Sequence, residues 1–123
     1  MKIIRKKDIA VKKREDGRTV CYYPPFDIPQ ETKQIGFITV DTPQNCNEKE
    51  HVHPVSTEIF YHVTSGKVQV NNVIYDLNEG DIMILEPGDH HKQIAEQDIV
   101  VVVLRIPFSS DKKIVMEENY ENY

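Results

Sequence analysis

The side chains best suited to chemistry are concentrated in HVHPVSTE, residues 51 to 58, where two imidazoles and a carboxylate fall within eight positions. His51 and His53 are two apart, so on an extended strand both rings project to the same side. Pro54, with its fixed φ and missing N–H, suits a strand end or bend, which lets Glu58 fold back toward the rings. Two neutral imidazoles and an ionised oxygen form a ligand set for a borderline divalent metal, and one further nitrogen completes four. His91 is the candidate for that nitrogen. HxH pairs also occur on solvated strands, and Glu58 could serve as a surface acid beside Lys49.

A second cluster decides between these readings. In GDIMILEPGDHH, residues 80 to 91, glycines bracket a short apolar strand and a Pro-Gly turn then delivers paired histidines. On a strand restarting after Gly88, His90 and His91 face opposite sides, so only one of them enters an interior.

The elements that must position these groups read as short strands. Asp16 and Gly17 in EDGR are hairpin-turn residues, giving two strands within residues 2 to 23, the second being TVCYY. The prolines of PPFDIP at 24 to 29 break regular structure into a wrapping loop. QIGFITVD at 34 to 41 is a strand, and TPQNCNEKE is turn chemistry. EIFYHVT, KVQV, VIYDL and IMIL follow at even spacing, separated by Ser65-Gly66, Asn71-Asn72 and NEGD. DIVVVVLRIPF, 98 to 108, is the most β-branched run and predicts a well-buried strand. The pattern is that of an all-β antiparallel sandwich or barrel with little helix. Turns of helix are expected near 111 to 118 and 29 to 33. The acidic tail at 117 to 123 is expected to be flexible or to lie along a partner.

With 123 residues, 39% hydrophobic and 28% charged, the chain fits one soluble globular domain spanning 1 to 123, with a core over 34 to 108. No apolar run reaches the roughly 20 residues of a spanning helix, and the start lacks a signal-peptide core. A cytoplasmic protein without membrane partners is expected. Residues 1 to 18 hold eight Lys or Arg against three acids, and the remainder seven against seventeen. No aromatic residues interleave the basic arm and no nucleic-acid motif accompanies it, so nucleic acid is not an expected partner. The arm is better matched to the acidic body of its own or a neighbouring subunit, and strands 1 to 23 are expected at the edge of a homodimer. Cys21 and Cys46 form no CxxC pair and no disulfide framework.

The two clusters resemble the motifs of the cupin superfamily. In its first motif a glycine precedes a His-x-His pair, a glutamate and a second glycine, and Asn45, His51, His53, Glu58 and Gly66 take those places. HVHPVSTE is similar to the HTHPGATE form of plant germins. Gly80, Gly88 and His91 match the second motif, and the two together cover residues 45 to 95. The departures are Asn45 for glycine, a seven-residue rather than six-residue interval from Glu58 to Gly66, Pro87 displaced by one, and Ala95 for asparagine. The longer interval implies a bulge or longer turn after Glu58.

The resemblance implies a double-stranded β-helix, the jelly-roll barrel of cupins, with His51, His53, Glu58 and His91 holding Mn, Fe, Ni, Co or Zn. About two positions of an octahedral ion then stay open for substrate. His62, sharing a face with Phe60, and Gln93, sharing one with His91, are candidates for positioning or proton transfer; each could instead be an ordinary hydrogen-bonded wall residue. Met83 or Ile84 is expected to make the pocket apolar. Arg105 could capture a carboxylate, although a salt bridge at the barrel edge is the commoner role. The expected function is that of a metal-dependent dioxygenase, isomerase or decarboxylase acting on a small oxygenated or sugar-like compound. The rivals are a non-catalytic metal or ligand binding module and a structural subunit with a vestigial site.

Overall fold

The computed structural model describes residues 1–17, 19–24, 26–31 and 34–115. Among these, ten strands form two five-stranded antiparallel sheets. The first runs β1 (Lys2–Ile4), β9 (Ile82–Leu85), β6 (Thr57–His62), β11 (Ile99–Ile106), β4 (Gly36–Thr42). The second runs β12 (Lys113–Ile114), β5 (His51–Val52), β10 (His90–Ile94), β7 (Gly66–Val70), β8 (Val73–Leu77). The remaining pair, β2 (Ala10–Lys13) and β3 (Thr19–Tyr22), forms a separate hairpin.

Alternation builds the interior. Along β7, Gly66, Val68 and Val70 are buried while Lys67 and Gln69 are only partly so, the period of two expected of a half-buried strand. Phe60, Met83, Leu85, Val101 and Val103 from the first sheet pack against Val68, Val70 and Leu77 from the second in one apolar cluster. Each such side chain contributes about 1.5–3 kcal/mol relative to exposure, which holds the sheets face to face. Neighbouring strands come from distant parts of the sequence: β6 lies between β9 and β11, and β10 between β5 and β7. This interleaving makes the architecture a double-stranded β-helix, as expected.

The N-terminal region holds three strands rather than two. β1 joins the first sheet beside β9, leaving β2 and β3 as the hairpin around Gly17, whose φ of 97° suits glycine. β1 is an edge strand of the first sheet. Neither expected helical turn forms within the described residues. Residues 111 to 115 are irregular apart from β12, which pairs with β5, because a sheet edge offers this segment backbone partners that a lone helical turn would lack. The one helical element among the described residues is a 3-10 turn at Lys6–Asp8. The tail at 117 to 123 lies outside the described residues.

Candidate metal centre

Register brings the histidines together. His51 on β5 and His91 on β10 are direct cross-strand partners, and their ring centroids lie 4.2 Å apart. His53 sits just past β5, where its carbonyl accepts the N–H of Gly88 at 3.0 Å and ties the Pro87–Gly88 turn to the histidine segment. That turn needs glycine, since Gly88 has φ of 91°. All three rings are buried, and their candidate ligand atoms lie within 4.8 Å of one another. His90 is exposed, so His91 alone of that pair faces inward.

Glu58 reaches the same place from the opposite sheet. Its Oε1 is 3.3 Å from His53 Nε2 and 3.5 Å from His91 Nε2, while its Oε2 accepts a 3.0 Å bond from Arg105 Nε. The extra residue before Gly66 leaves Glu58 undisturbed, because β6 keeps unbroken register with β9 and β11 through Tyr61. The surplus is absorbed further on, where the amides of Val63 and Thr64 both donate to the Val100 carbonyl, two residues opposite one. Asn45, standing for the first motif's glycine, adopts φ of 68°, as a short polar side chain permits.

The hydrogen bonds of the rings fix which nitrogen is free. His51 Nδ1 donates to the Lys49 carbonyl at 3.0 Å, His53 Nδ1 to Asp111 Oδ1 at 2.9 Å, and His91 Nδ1 more loosely to the Asp89 carbonyl at 3.4 Å. Each Nε2 then carries a lone pair. Burial, and secondarily the neighbouring His91, push the His51 pKa down to about 4, which keeps the ring neutral. Burial pushes the Glu58 carboxyl up, but its polar contacts with His91 and His53 and the Arg105 guanidinium outweigh burial and hold the group below its usual value, hence ionised.

These groups fit a cation. His53 Nε2, His91 Nε2 and Glu58 Oε1 are buried with no hydrogen-bond partner among the described residues. An unpartnered buried polar atom costs about 1–3 kcal/mol, and three lone-pair acceptors facing one another repel besides. A divalent ion bound by imidazole and carboxylate removes both penalties at once.

Asp111 was not anticipated. Its Oδ2 accepts the amides of Val55 and Ser56, each at 2.9 Å, and its Oδ1 holds the His53 ring. Burial raises this carboxyl, but His53 and the two amides more than reverse the effect, so it stays ionised far below the normal range. The sequence offers little to find it by: Asp111 follows Ser109 and Ser110 in what reads as an ordinary polar turn.

A cavity of about 240 Å³ opens beside the histidines. Ile38, Val40, Phe60 and Val103 form its apolar wall, whereas Met83 and Ile84, expected there, are buried elsewhere, Met83 in the apolar core. Gln93 lines the cavity, buried, with its amide oxygen accepting the Thr42 hydroxyl. Its NH2 is therefore the donor it offers a ligand. Arg105 also lines the cavity, paired to Glu58 rather than at a barrel edge. His62 faces inward and is fully buried, but four residues along β6 from Glu58 means roughly 13 Å of strand. It is absent from the cavity wall, with Nδ1 donating to the Thr64 carbonyl at 3.3 Å.

No protein-family model matches the chain, and no curated protein matches it. Solved structures do. A protein with a double-stranded β-helix domain from Klebsiella pneumoniae superposes with a TM-score of 0.62 at 19% identity, over 73% of this chain and 82% of its own. Oxalate decarboxylase from Lactobacillus farciminis gives 0.56 at 19% identity, over 67% of this chain and 27% of its own. Salicylate 1,2-dioxygenase from Pseudaminobacter salicylatoxidans gives 0.53 at 15% identity, over 58% and 21%. At such identities the likeness is one of fold, and this chain spans about a quarter or less of the two enzymes. The protein is an all-β double-stranded β-helix with a buried group of three histidines able to hold a metal ion. That fold is the cupin fold, in agreement with the motif resemblance.

Proposed function

We propose that this protein is a metal-dependent cupin enzyme, with His51, His53, His91 and Glu58 as ligands to a divalent transition metal. Its reaction belongs to the dioxygenase, isomerase or decarboxylase type, on a small oxygenated compound. The observation that carries this reading is the convergence of buried, unpartnered His53 Nε2, His91 Nε2 and Glu58 Oε1 beside a cavity of about 240 Å³. When bound, such an ion supplies Lewis acidity and open coordination positions.

The chain's own groups do the rest. Gln93 orients the ligand through its NH2, Arg105 sets the position of Glu58, and the wall of Ile38, Val40, Phe60 and Val103 keeps water from that side. Glu48, whose Oε1 accepts the backbone N–H of Gln93 at 2.6 Å, is the carboxylate on the cavity wall not held by histidines and is placed to take a proton. The test is metal content of protein purified without a nickel column, beside His51→Ala and His91→Ala, followed by oxygen-uptake and substrate-turnover screens. About one ion per chain, lost in both variants, and turnover by the loaded protein are expected; a wild type that binds no transition metal refutes the reading.

A binding module without turnover is the second reading, and the location of His62 favours it, since the acid–base histidine expected at the site is not on the cavity wall. Bound metal with no activity across a broad substrate panel would select it.

A homodimer accompanies either reading. Among the described residues β2 and β3 pair only with each other, and an isolated two-stranded hairpin is marginal in water. A second subunit covering it answers that weakness, and a monomer on gel filtration at micromolar concentration would remove the argument. A reducing, cytoplasmic setting suits Cys21 and Cys46, both free thiols.

A further inference from the structure

Besides its histidines, the cavity is lined by four charged side chains, Glu48, Glu58, Arg105 and Lys112. These four cancel, and Asp111, bonded to His53 Nδ1 behind the wall, adds one negative charge. A divalent ion held there leaves a surplus of one positive charge in a partly enclosed space, and uncompensated charge in such a space is costly. A neutral polyol would leave that surplus in place, whereas an anion reduces it.

The positions of the two cations point the same way. Arg105 lies opposite Glu58 in the β6–β11 register, and the bond from its Nε uses one of the five donors of a guanidinium. The side chain is 20% exposed and on the cavity wall, so its fork is presented at the mouth and not sealed in the core. Lys112 approaches from the segment after β11 and lines the same cavity as His51, His91 and Arg105. A guanidinium and an ammonium flanking the histidine group make a site for a planar carboxylate. The volume sets the scale: an apolar cavity of about 150 Å³ accommodates benzene, so a ligand of roughly six to ten heavy atoms fits here. The apolar wall opposite takes a short hydrocarbon body or a single ring.

Resting on the metal-dependent reading above, we infer that the cavity selects a small carboxylic acid, its carboxylate set against Arg105 and Lys112 and its body against Phe60 and Val103, in preference to a neutral sugar. Arg105 is paired to the ligand Glu58, so Lys112 is the specificity-determining side chain to alter.

The test uses protein loaded with Co(II), whose visible absorption reports ligand binding without requiring turnover. Lactate, succinate and benzoate are each titrated against their primary amides, with glycerol and glucose as neutral polyols, on wild type and on Lys112→Gln. At least one acid is expected to bind ten-fold or more tightly than its amide. In Lys112→Gln that preference should fall several-fold while cobalt stoichiometry and amide binding stay as in wild type. Acids and amides binding alike, polyols binding in preference to all the acids, or an unchanged preference in the variant overturns the inference while leaving the metal site standing. Failure to take up cobalt at all would instead refute the metal-dependent reading and this inference with it.

Discussion

Asp111 and His53, 58 positions apart in sequence, are joined by a 2.9 Å bond from imidazole Nδ1 to carboxylate Oδ1. The carboxylate selects the tautomer whose Nε2 faces His91 and Glu58, and it raises the basicity of that nitrogen. Asp111→Asn should weaken metal affinity about 10–100-fold, the usual consequence of losing such a partner. Asp111→Ala should also lower stability, by about 2–4 kcal/mol, because the Val55 and Ser56 amides lose their acceptor. Competitive metal titration and thermal melts of the metal-free proteins separate the two effects; equal metal affinity in wild type and Asp111→Asn would show the bond to be purely structural.

His91→Leu distinguishes a ligand site from an ordinary polar core. Leucine fills a similar volume and removes an unpartnered nitrogen, so the metal-free variant should melt no lower than wild type, and as much as about 1–2 kcal/mol more stably. Metal binding should be lost. A variant that melts well below the metal-free wild type would mean that the His91 ring holds the fold through contacts beyond its loose bond to the Asp89 carbonyl.

Much of this was legible in the sequence, and what was not had local causes. Strands β6 to β9 were found within a residue or two because each is a short β-branched, aromatic or apolar run bounded by turn residues such as Asn71 and Asn72, both of which adopt positive φ. The period of two put His90 and His91 on opposite faces, the motif resemblance chose His91 as the inward one, and His91 is buried while His90 is exposed. Asp111 escaped notice because its partners are 55 to 58 residues away and its neighbours carry no pattern. The helical turn expected over 111 to 118 failed in its described part because β12 found an edge at β5, a tertiary opportunity that local composition does not encode. His62 was assigned correctly to the inward face, but strand length, not face, decides whether a side chain reaches the cavity.

Metal should stabilise the fold by mass action. At a free concentration 1,000 times its dissociation constant, an ion bound only by the folded state adds about 4 kcal/mol, or roughly ten degrees or more in melting temperature for a chain of this size. A chelator should reverse the shift in wild type and have no effect on His91→Leu. Melting curves indifferent to Mn(II), Co(II), Ni(II) and Zn(II) alike would contradict a site of these four residues.

Asp81 sets an acid limit on stability that is separate from the metal. Its carboxylate accepts the amides of Asn78 at 2.7 Å and Lys6 at 3.0 Å and pairs with Arg5 at 2.8 Å, fastening the segment after β1 to the turn before β9. Burial raises its pKa, but the two amides and Arg5 outweigh burial and bring it below the ordinary 3.8. A depressed carboxyl means that the unfolded chain binds protons first as pH drops, so the contribution is complete above about pH 4 and disappears as pH falls through the folded value. Asp81→Asn should therefore cost about 2 kcal/mol at neutral pH, the scale of charge-assisted hydrogen bonds at a buried group. The gap between wild type and variant should narrow steadily below pH 4 in urea unfolding curves, and a gap that stays constant from pH 7 to pH 2.5 would show that ionisation of Asp81 is not what holds this corner together.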